Sequence, residues 1–302
     1  NETTRHADVI LPPTGPLEHD HYDLAFHNLA VRNTARYSPP LFRPSPGACH
    51  DWQIFAELAR RLERSSEKGK GKGLGGRLVA GAKWRVIALL GPRRLLDRGL
   101  RSGPYPLTLA KLEREPHGVD LGPLTPALPE RLRTPDRRIR LAPEAFTEAL
   151  AQLARELGDD GGAELRAGDA LLLIGRRQVR SNNSWMHNVP RLMRGDDRCT
   201  LLIHPDDAAR RGIGDDGSEA PTRVRITSRV GTIEAPAEIS DEVMPGVVSL
   251  PHGWGHGRDG VRLATAQRHP GASLNDLTDE LRVDALSGNA ALSGVPVRVE
   301  RA

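Results

Sequence analysis

The run ALLLIGRRQVRSNNSWMHNVPR, Ala170 to Arg191, changes character in its middle. Ala170 to Ile174 is a short apolar run of the length and composition of a buried strand. From Gly175 onward come four arginines, three asparagines, two serines, a tryptophan and a histidine, with hardly an aliphatic side chain. A core strand that opens into so many hydrogen-bonding groups raises the question of what polar object they meet. The plainer reading is a polar surface loop anchored by Trp185.

Downstream, strand-like runs follow one another: CTLLIH (199–204), TRVRITS (222–228), GTIEAPAEI (231–239), GVVSLP (246–251) and VPVRVE (295–300). Gly, Asp and Pro turns separate them, which predicts a closed β-barrel over 165–302. HPDDAARRGI (204–213) is the one obvious short helix there, with Pro205 in its first turn. Upstream, ADVILP (7–12) is an apolar run stopped by proline and predicts a buried parallel strand. HDWQIFAELARRLER (50–64) repeats Ile54, Leu58 and Leu62 at four-residue spacing behind Asp51, the signature of a capped amphipathic helix. Residues 1–64 therefore read as the end of an α/β domain. Residues 65–164 read as linker and peripheral helices. Within them SSEKGKGKGLGG (65–76) has flexible-linker composition, DRRIRL (136–141) alternates like a strand, and EAFTEALAQLARELG (144–158) is a second amphipathic helix.

Composition narrows the function classes. The 302 residues are 38% hydrophobic, and no stretch approaches the roughly 20 apolar residues that span a bilayer. A cytoplasmic protein without a membrane span is expected. The chain begins at Asn1 inside what looks like structured sequence, so it is expected to be a piece of a longer polypeptide. The net charge is +4, supplied mostly by arginine, which clamps phosphates with paired hydrogen bonds. Aromatics are only 4%, which argues against a stacking platform for single-stranded nucleic acid, and no nucleic-acid partner is expected. Cys49 and Cys199 lie far apart with no CxxC pair, so neither a zinc nor an iron–sulfur site is legible. Each is expected as a small core residue. The acidic pairs Asp159–Asp160, Asp206–Asp207 and Asp215–Asp216 fall in turns or at a helix start, where carboxylates cap backbone groups. HDHYD (19–23) has metal-ligand chemistry, but a solvated loop explains it as well.

Seven segments resemble, in order, the C-terminal part of a molybdopterin-dependent oxidoreductase of the dimethyl-sulfoxide reductase superfamily, which includes formate dehydrogenases and nitrate reductases. They are ETTRHADVILP (2–12), HDWQIFAELARRL (50–62), TPDRRIRLAPE (134–144), LLLIGRRQVRSNNSWMHN (171–188), LLIHPDDAARRGIGDDG (201–217), ITSRVGTIEAPAEISDEVMPGVVSLPHGWGH (226–256) and SLNDLTDELRVDALSGNAALSGVPVRVE (273–300).

The resemblance implies a Rossmann-like α/β segment followed by a mainly-β double-psi β-barrel. It also implies a bis-molybdopterin guanine dinucleotide cofactor carrying molybdenum. Such a cofactor asks for arginines and backbone N–H groups at its pyrophosphates, and for amide, hydroxyl and imidazole partners along its pterin edges. Arg176, Gln178, Arg180, Ser181, Asn182, Asn183, Ser184, Trp185 and His187 supply that inventory. In PHGWGHG (251–257), His252, Gly253, Trp254, Gly255 and His256 form a second candidate loop, its glycines letting backbone approach a ligand. The alternative there is a tight barrel turn with Trp254 closing the core. Asn275 is a third candidate, or else an Asx-turn residue. Glu2, Thr3 and Thr4 fall in a loop that, by the resemblance, often borders the cofactor, or else form an unremarkable connection at a frayed terminus.

The family's molybdenum ligand and the cysteines of its 4Fe–4S cluster are absent from these residues, so both are expected upstream. The partners implied are that missing N-terminal part and an electron-transfer partner; this piece alone is expected to be inactive. A stand-alone double-psi barrel acting as a binding or adaptor module remains the alternative.

Overall fold

Short elements and exposed apolar side chains mark residues Val9–Arg138, one of two units in the computed structural model. The structure describes residues 1–65, 90–157, 169–214 and 220–302. In this unit β1 (His21–Tyr22) pairs antiparallel with β3 (Tyr37–Ser38), and β2 (Arg32–Ala35) with β4 (Val119–Pro123). The predicted helix is α1 (Asp51–Ser65). A second, α2, covers 90–102, and α3 (Leu109–Arg114) is capped by the Thr108 hydroxyl, which accepts from the Lys111 N–H at 3.1 Å. Ala35, Tyr37, Leu100, Leu107, Leu109 and Leu112 make the core.

Four expectations are not met among the described residues of this part of the chain. ADVILP forms no strand, and Val9, Ile10 and Leu11 are all more than half exposed. An apolar run becomes a buried parallel strand only with sheet neighbours on both sides, and the described residues offer just the isolated bridge Pro13–Cys49. Both sheets of this unit are antiparallel and two-stranded, so no Rossmann-like sheet is seen among the described residues. DRRIRL is likewise not a strand. Arg137 takes φ +50° and Leu141 is 91% exposed, because alternation has no value without a pairing edge. Cys49 is exposed rather than a core residue. The Lys/Gly-rich segment lies almost wholly outside the described residues, as do Asp159, Asp160, Asp215 and Asp216.

The second unit joins residues Asn1–Asp8 to Ile139–Ala302. It opens with the second predicted amphipathic helix, α4 (Glu144–Leu157), whose Phe146 and Leu150 stay exposed. Its barrel strands are β5 (Leu171–Arg176), β6 (Leu201–Ile203), β7 (Arg223–Thr227), β8 (Thr232–Ile239), β9 (Val247–Pro251) and β10 (Val295–Arg301). Period-two alternation buries Leu171 and Leu173, Val224 and Ile226, and Val295, Val297 and Val299 on one side of their strands. The strands close in the order β10-β5-β9-β6-β8-β7, which leaves no free edge. β5 runs parallel to β9 and β6 parallel to β8, while the remaining pairs are antiparallel. This closed, mainly-β arrangement is the barrel predicted from the strand runs, and it fits the double-psi form that the resemblance implies. Met193, Cys199, Trp254, Leu274 and Leu277 complete the core from the connections. The predicted short helix is α5 (Pro205–Arg210), where His204 Nδ1 accepts from the Asp206 N–H at 3.2 Å.

Candidate functional site

Parallel pairing decides where the two candidate loops emerge. Arg176 ends β5 opposite Pro251 at the end of β9, so both strands release their chains at the same end of the barrel. Residues 177–191 and 252–257 therefore leave side by side, and the His252 N–H still donates to Arg176 O at 3.3 Å. The first loop winds through successive turns, with Ser181 N–H donating to Gln178 O, Met186 N–H to Ser181 O and His187 N–H to Ser184 O. Asn182 and Asn183 sit consecutively in the left-handed region, at φ +42° and +62°, a conformation asparagine tolerates better than most side chains.

The predicted residues divide by what already satisfies them. Arg176 is tied into the barrel: it donates to Ser249 O at 2.5 Å and to Thr200 O and Oγ1 at 2.8 and 2.9 Å. Ser181 is buried and its hydroxyl donates to Gln178 O. Asn183 Oδ1 accepts from Arg177 and lies 2.8 Å from His252 Nε2, which fastens the first loop to the second. Gly253, at φ +91°, packs directly on Asn183: a Cβ there would stand 2.5 Å from Asn183 O. Gly255 packs in the same manner on Ser273. These two glycines thus admit neighbouring protein chain, where the sequence suggests a ligand. Trp254 is 7% exposed and belongs to the barrel core. Trp185, in contrast, is 77% exposed, and Arg180 and Asn182 are exposed beside it. Ser184 and Gln178 are half-buried. The Asn275 side chain is exposed and has no hydrogen bond among the described residues, while its carbonyl accepts from Thr278 Oγ1.

Beneath the loops lies a buried imidazole pair. His187 Nδ1 is 2.8 Å from His256 Nε2, and His256 Nδ1 is 2.6 Å from Glu2 Oε1. Both rings are 1% exposed, and the His187 ring packs on Trp254 at a centroid distance of 4.1 Å. Burial, reinforced by His256, pushes the His187 pKa from 6.5 down to about 4. The folded state resists protonating this ring, whereas the unfolded chain takes the proton once pH drops below about 6.5. Stability is therefore fully present above about 6.5, falls as pH drops toward about 4, and loses nothing more from this group below that. One pKa unit corresponds to about 1.4 kcal/mol; with water reaching the loosened loop in acid, a loss on the order of 2 kcal/mol is expected. Urea midpoints at pH 7.5 and 4.5 measure it, and His187→Gln should flatten the difference.

Sequence reasoning missed two arginines. Arg194 and Arg198, from RLMRGDDR (191–198), join Gln178, Val179, Arg180, Gly195 and Asp196 around an open polar cavity of about 470 Å3. Arg198 is held by the carbonyls of Leu192 and Arg194. The guanidinium groups of Arg180 and Arg194 have no hydrogen bond or ion pair among the described residues. Two unpaired guanidinium groups on one polar cavity offer the paired donors that phosphate or carboxylate oxygens accept. The density of basic residues just past the quoted loop was the available signal. Asn188 was also passed over: its Oδ1 accepts from Thr265 and Ala266 N–H at 3.0 and 3.4 Å, fixing the end of the loop.

A larger cavity of about 870 Å3 lies within residues 9–138, walled chiefly by Tyr22, Leu95, Leu96, Leu100, Tyr105 and Leu107. Its apolar lining suits no phosphate. The HDHYD side chains are engaged with protein groups: His19 Nε2 is 2.7 Å from Thr14 Oγ1, His21 Nε2 is 2.7 Å from Pro16 O, and Asp20 accepts from the Tyr37 hydroxyl. Among the described residues no three His, Cys, Asp or Glu side chains converge as metal ligands, and no helix is long and apolar enough to cross a membrane.

The barrel thus closes with six strands and sends two polar loops from one end, with the unpaired Arg180 and Arg194 guanidinium groups on a polar cavity beside them. Known proteins share parts of this chain. Residues 171–296 match the molydopterin dinucleotide binding domain. The chain is 33% identical over 130 residues to a tetrathionate reductase subunit of Salmonella typhimurium, covering 37% of this chain and 12% of that protein. It is 27% identical over 290 residues to a putative dimethyl sulfoxide reductase catalytic subunit of Halobacterium salinarum, covering 88% of this chain and 30% of the other. Acetylene hydratase from Pelobacter acetylenicus shares the fold at a TM-score of 0.62 and 16% identity, over 97% of this chain and 38% of that one. The likeness to the molydopterin dinucleotide binding domain thus lies in the barrel unit, and the two curated relatives are reductase subunits. The chain spans about an eighth to a third of the two curated relatives named here.

Proposed function

We propose that this chain is the molybdopterin-dinucleotide-binding part of a longer molybdenum oxidoreductase. One observation carries the reading: Arg180 and Arg194 stand unpaired on a polar cavity at the mouth of the barrel, within the matched domain. Pyrophosphate oxygens satisfy guanidinium groups in pairs. Gln178, Asn182, Ser184 and Asn275 offer both donors and acceptors for a pterin or guanine edge, and the exposed Trp185 face suits a flat ring. Arg176, Ser181, Asn183, His187, His252, Gly253, Trp254, Gly255 and His256 act from behind, holding these groups in place. When bound, the cofactor supplies a redox-active molybdenum for two-electron chemistry.

The finer reading takes the cofactor as the bis-guanine dinucleotide form, with a 4Fe–4S cluster and the metal ligand contributed by other parts of the polypeptide. Formate dehydrogenases and nitrate reductases are the activities suggested by the sequence resemblance. The names of the two relatives favour reduction of an oxidised sulfur compound. Apolar side chains left open on residues 9–138, such as Phe26, Leu29, Val31, Phe42 and Phe55, support a further segment of the same polypeptide as the covering partner. The rest of the reading is a cytoplasmic enzyme with an electron-transfer partner, and a chain inactive by itself.

Arg180→Ala combined with Arg194→Ala tests it in the full-length protein. A charge-assisted hydrogen bond is worth about 1.5–3 kcal/mol, so retained pterin should fall roughly tenfold or more. Pterin fluorescence after oxidative release measures the content. Retention equal to wild type would sink the assignment of these arginines.

A further inference from the structure

The imidazole pair beneath the two loops contains buried polar atoms that barrel packing leaves unexplained. Three pieces of chain meet there: the amino-terminal segment at Glu2, the second loop at His256 and the first loop at His187. A carboxylate accepts hydrogen bonds and cannot donate them. Glu2, 2.6 Å away, therefore requires the N–H of His256 to be at Nδ1. A His256 ring with its single N–H at Nδ1 presents a bare Nε2, which requires the N–H of His187 to be at Nδ1, 2.8 Å away. His187 Nε2 is left without a proton. That atom is buried and has no partner among the described residues. A bare ring nitrogen is the less costly orphan, since no N–H donor is wasted. Arg198, Trp254 and the Gly253 backbone surround the inner ring, and Glu2 is the anion at the outer one.

We propose that Glu2 is a positioning residue that locks both buried histidines in the Nδ1–H tautomer and so clamps the first loop onto the second. The proposal rests on the cofactor reading above and deepens it, because the clamped loop carries Arg180, Asn182 and Trp185. Directional hydrogen bonds running one way along the chain tie His187 to His256, and the tie fails when either ring reverses.

Glu2→Gln discriminates a lock from mere packing. Glutamine matches glutamate in shape and can either accept from or donate to His256, so both tautomers become allowed. The 15N spectrum of the histidine-labelled chain at pH 8 reads the tautomers directly. The expected result is Nδ1–H with bare Nε2 at both rings in wild type and in Glu2→Asp, and mixed tautomers in Glu2→Gln. Pterin retained by the full-length Glu2→Gln protein should fall roughly fivefold, the worth of one hydrogen bond. An Nε2–H at either ring of the wild type would overturn the proposal, and so would wild-type tautomers or wild-type pterin retention in Glu2→Gln. Should Glu2→Gln fold poorly, the wild-type spectrum decides alone. Wild-type protein free of pterin would sink the cofactor reading, while the spectrum would still judge the lock.

Discussion

Asp207→Ala is expected to destabilise the chain by about 3–5 kcal/mol, the cost of removing one partner from a buried ion pair. Asp207 is 0% exposed within the first turn of α5. Its Oδ2 accepts from the Gly246 N–H at 2.6 Å, which ties α5 to the turn entering β9. Its Oδ1 pairs with Arg210 and lies 3.6 Å from the Arg211 guanidinium. The Arg211 side chain is itself only 8% exposed, and its Nε has no partner among the described residues. Alanine would strand that cation against Asp169, whose side chain is 65% exposed and well screened by water. It would also orphan the Gly246 donor. The melting temperature should drop on the order of 10 °C. The neighbouring Asp206 side chain is 73% exposed, and its removal should cost less than about 1 kcal/mol. Thermal and urea unfolding of both variants provide the comparison, and equal losses would refute this role for Asp207.

Gly253→Ala should cost about 3 kcal/mol and also loosen the two loops, 177–191 and 252–257. Two effects add. At φ +91° any L side chain is strained. A Cβ would also meet Asn183 O at 2.5 Å, Asn183 C at 2.7 Å and Ser184 N at 3.1 Å, all backbone atoms that cannot rotate away. The first loop would have to lift from the second, breaking the contact between His252 and Asn183. Gly246→Ala is the control: φ there is +85°, yet nothing lies within 4 Å of an added methyl group, so strain alone of about 1–2 kcal/mol is expected. If the two substitutions proved equally costly, close packing of the loops would not be what Gly253 provides.

Legibility from sequence followed the range of the interactions. Strands β5 to β10 were all readable, because each alternates or runs apolar between strong turn residues, and closure gives every one of them two neighbours. The α5 start was readable because Pro205 and the acidic first turn are local signals. ADVILP and DRRIRL misled because strand patterns report a tendency, and pairing partners decide whether it is realised. In the site, the inventory of polar residues was legible but its division of labour was not. Arg176 and Arg180 differ by four positions in one quoted loop, yet the barrel satisfies the first and leaves the second free. Nothing local separates the two. Asp206 and Asp207, adjacent and chemically identical, differ just as sharply in burial. The tie of Glu2 to His256 joins residues 254 positions apart, a distance no spacing rule reaches.

Binding of the dinucleotide is the central claim, and the composition of the full-length protein tests it most directly. The protein, purified from cells that make molybdopterin, would be assayed for molybdenum by mass spectrometry and for released pterin and guanine nucleotide by fluorescence and chromatography. Molybdenum and pterin dinucleotide bound in stoichiometric amounts are the predicted result. Folded wild-type protein carrying neither would contradict it and leave the barrel as a binding module of another kind.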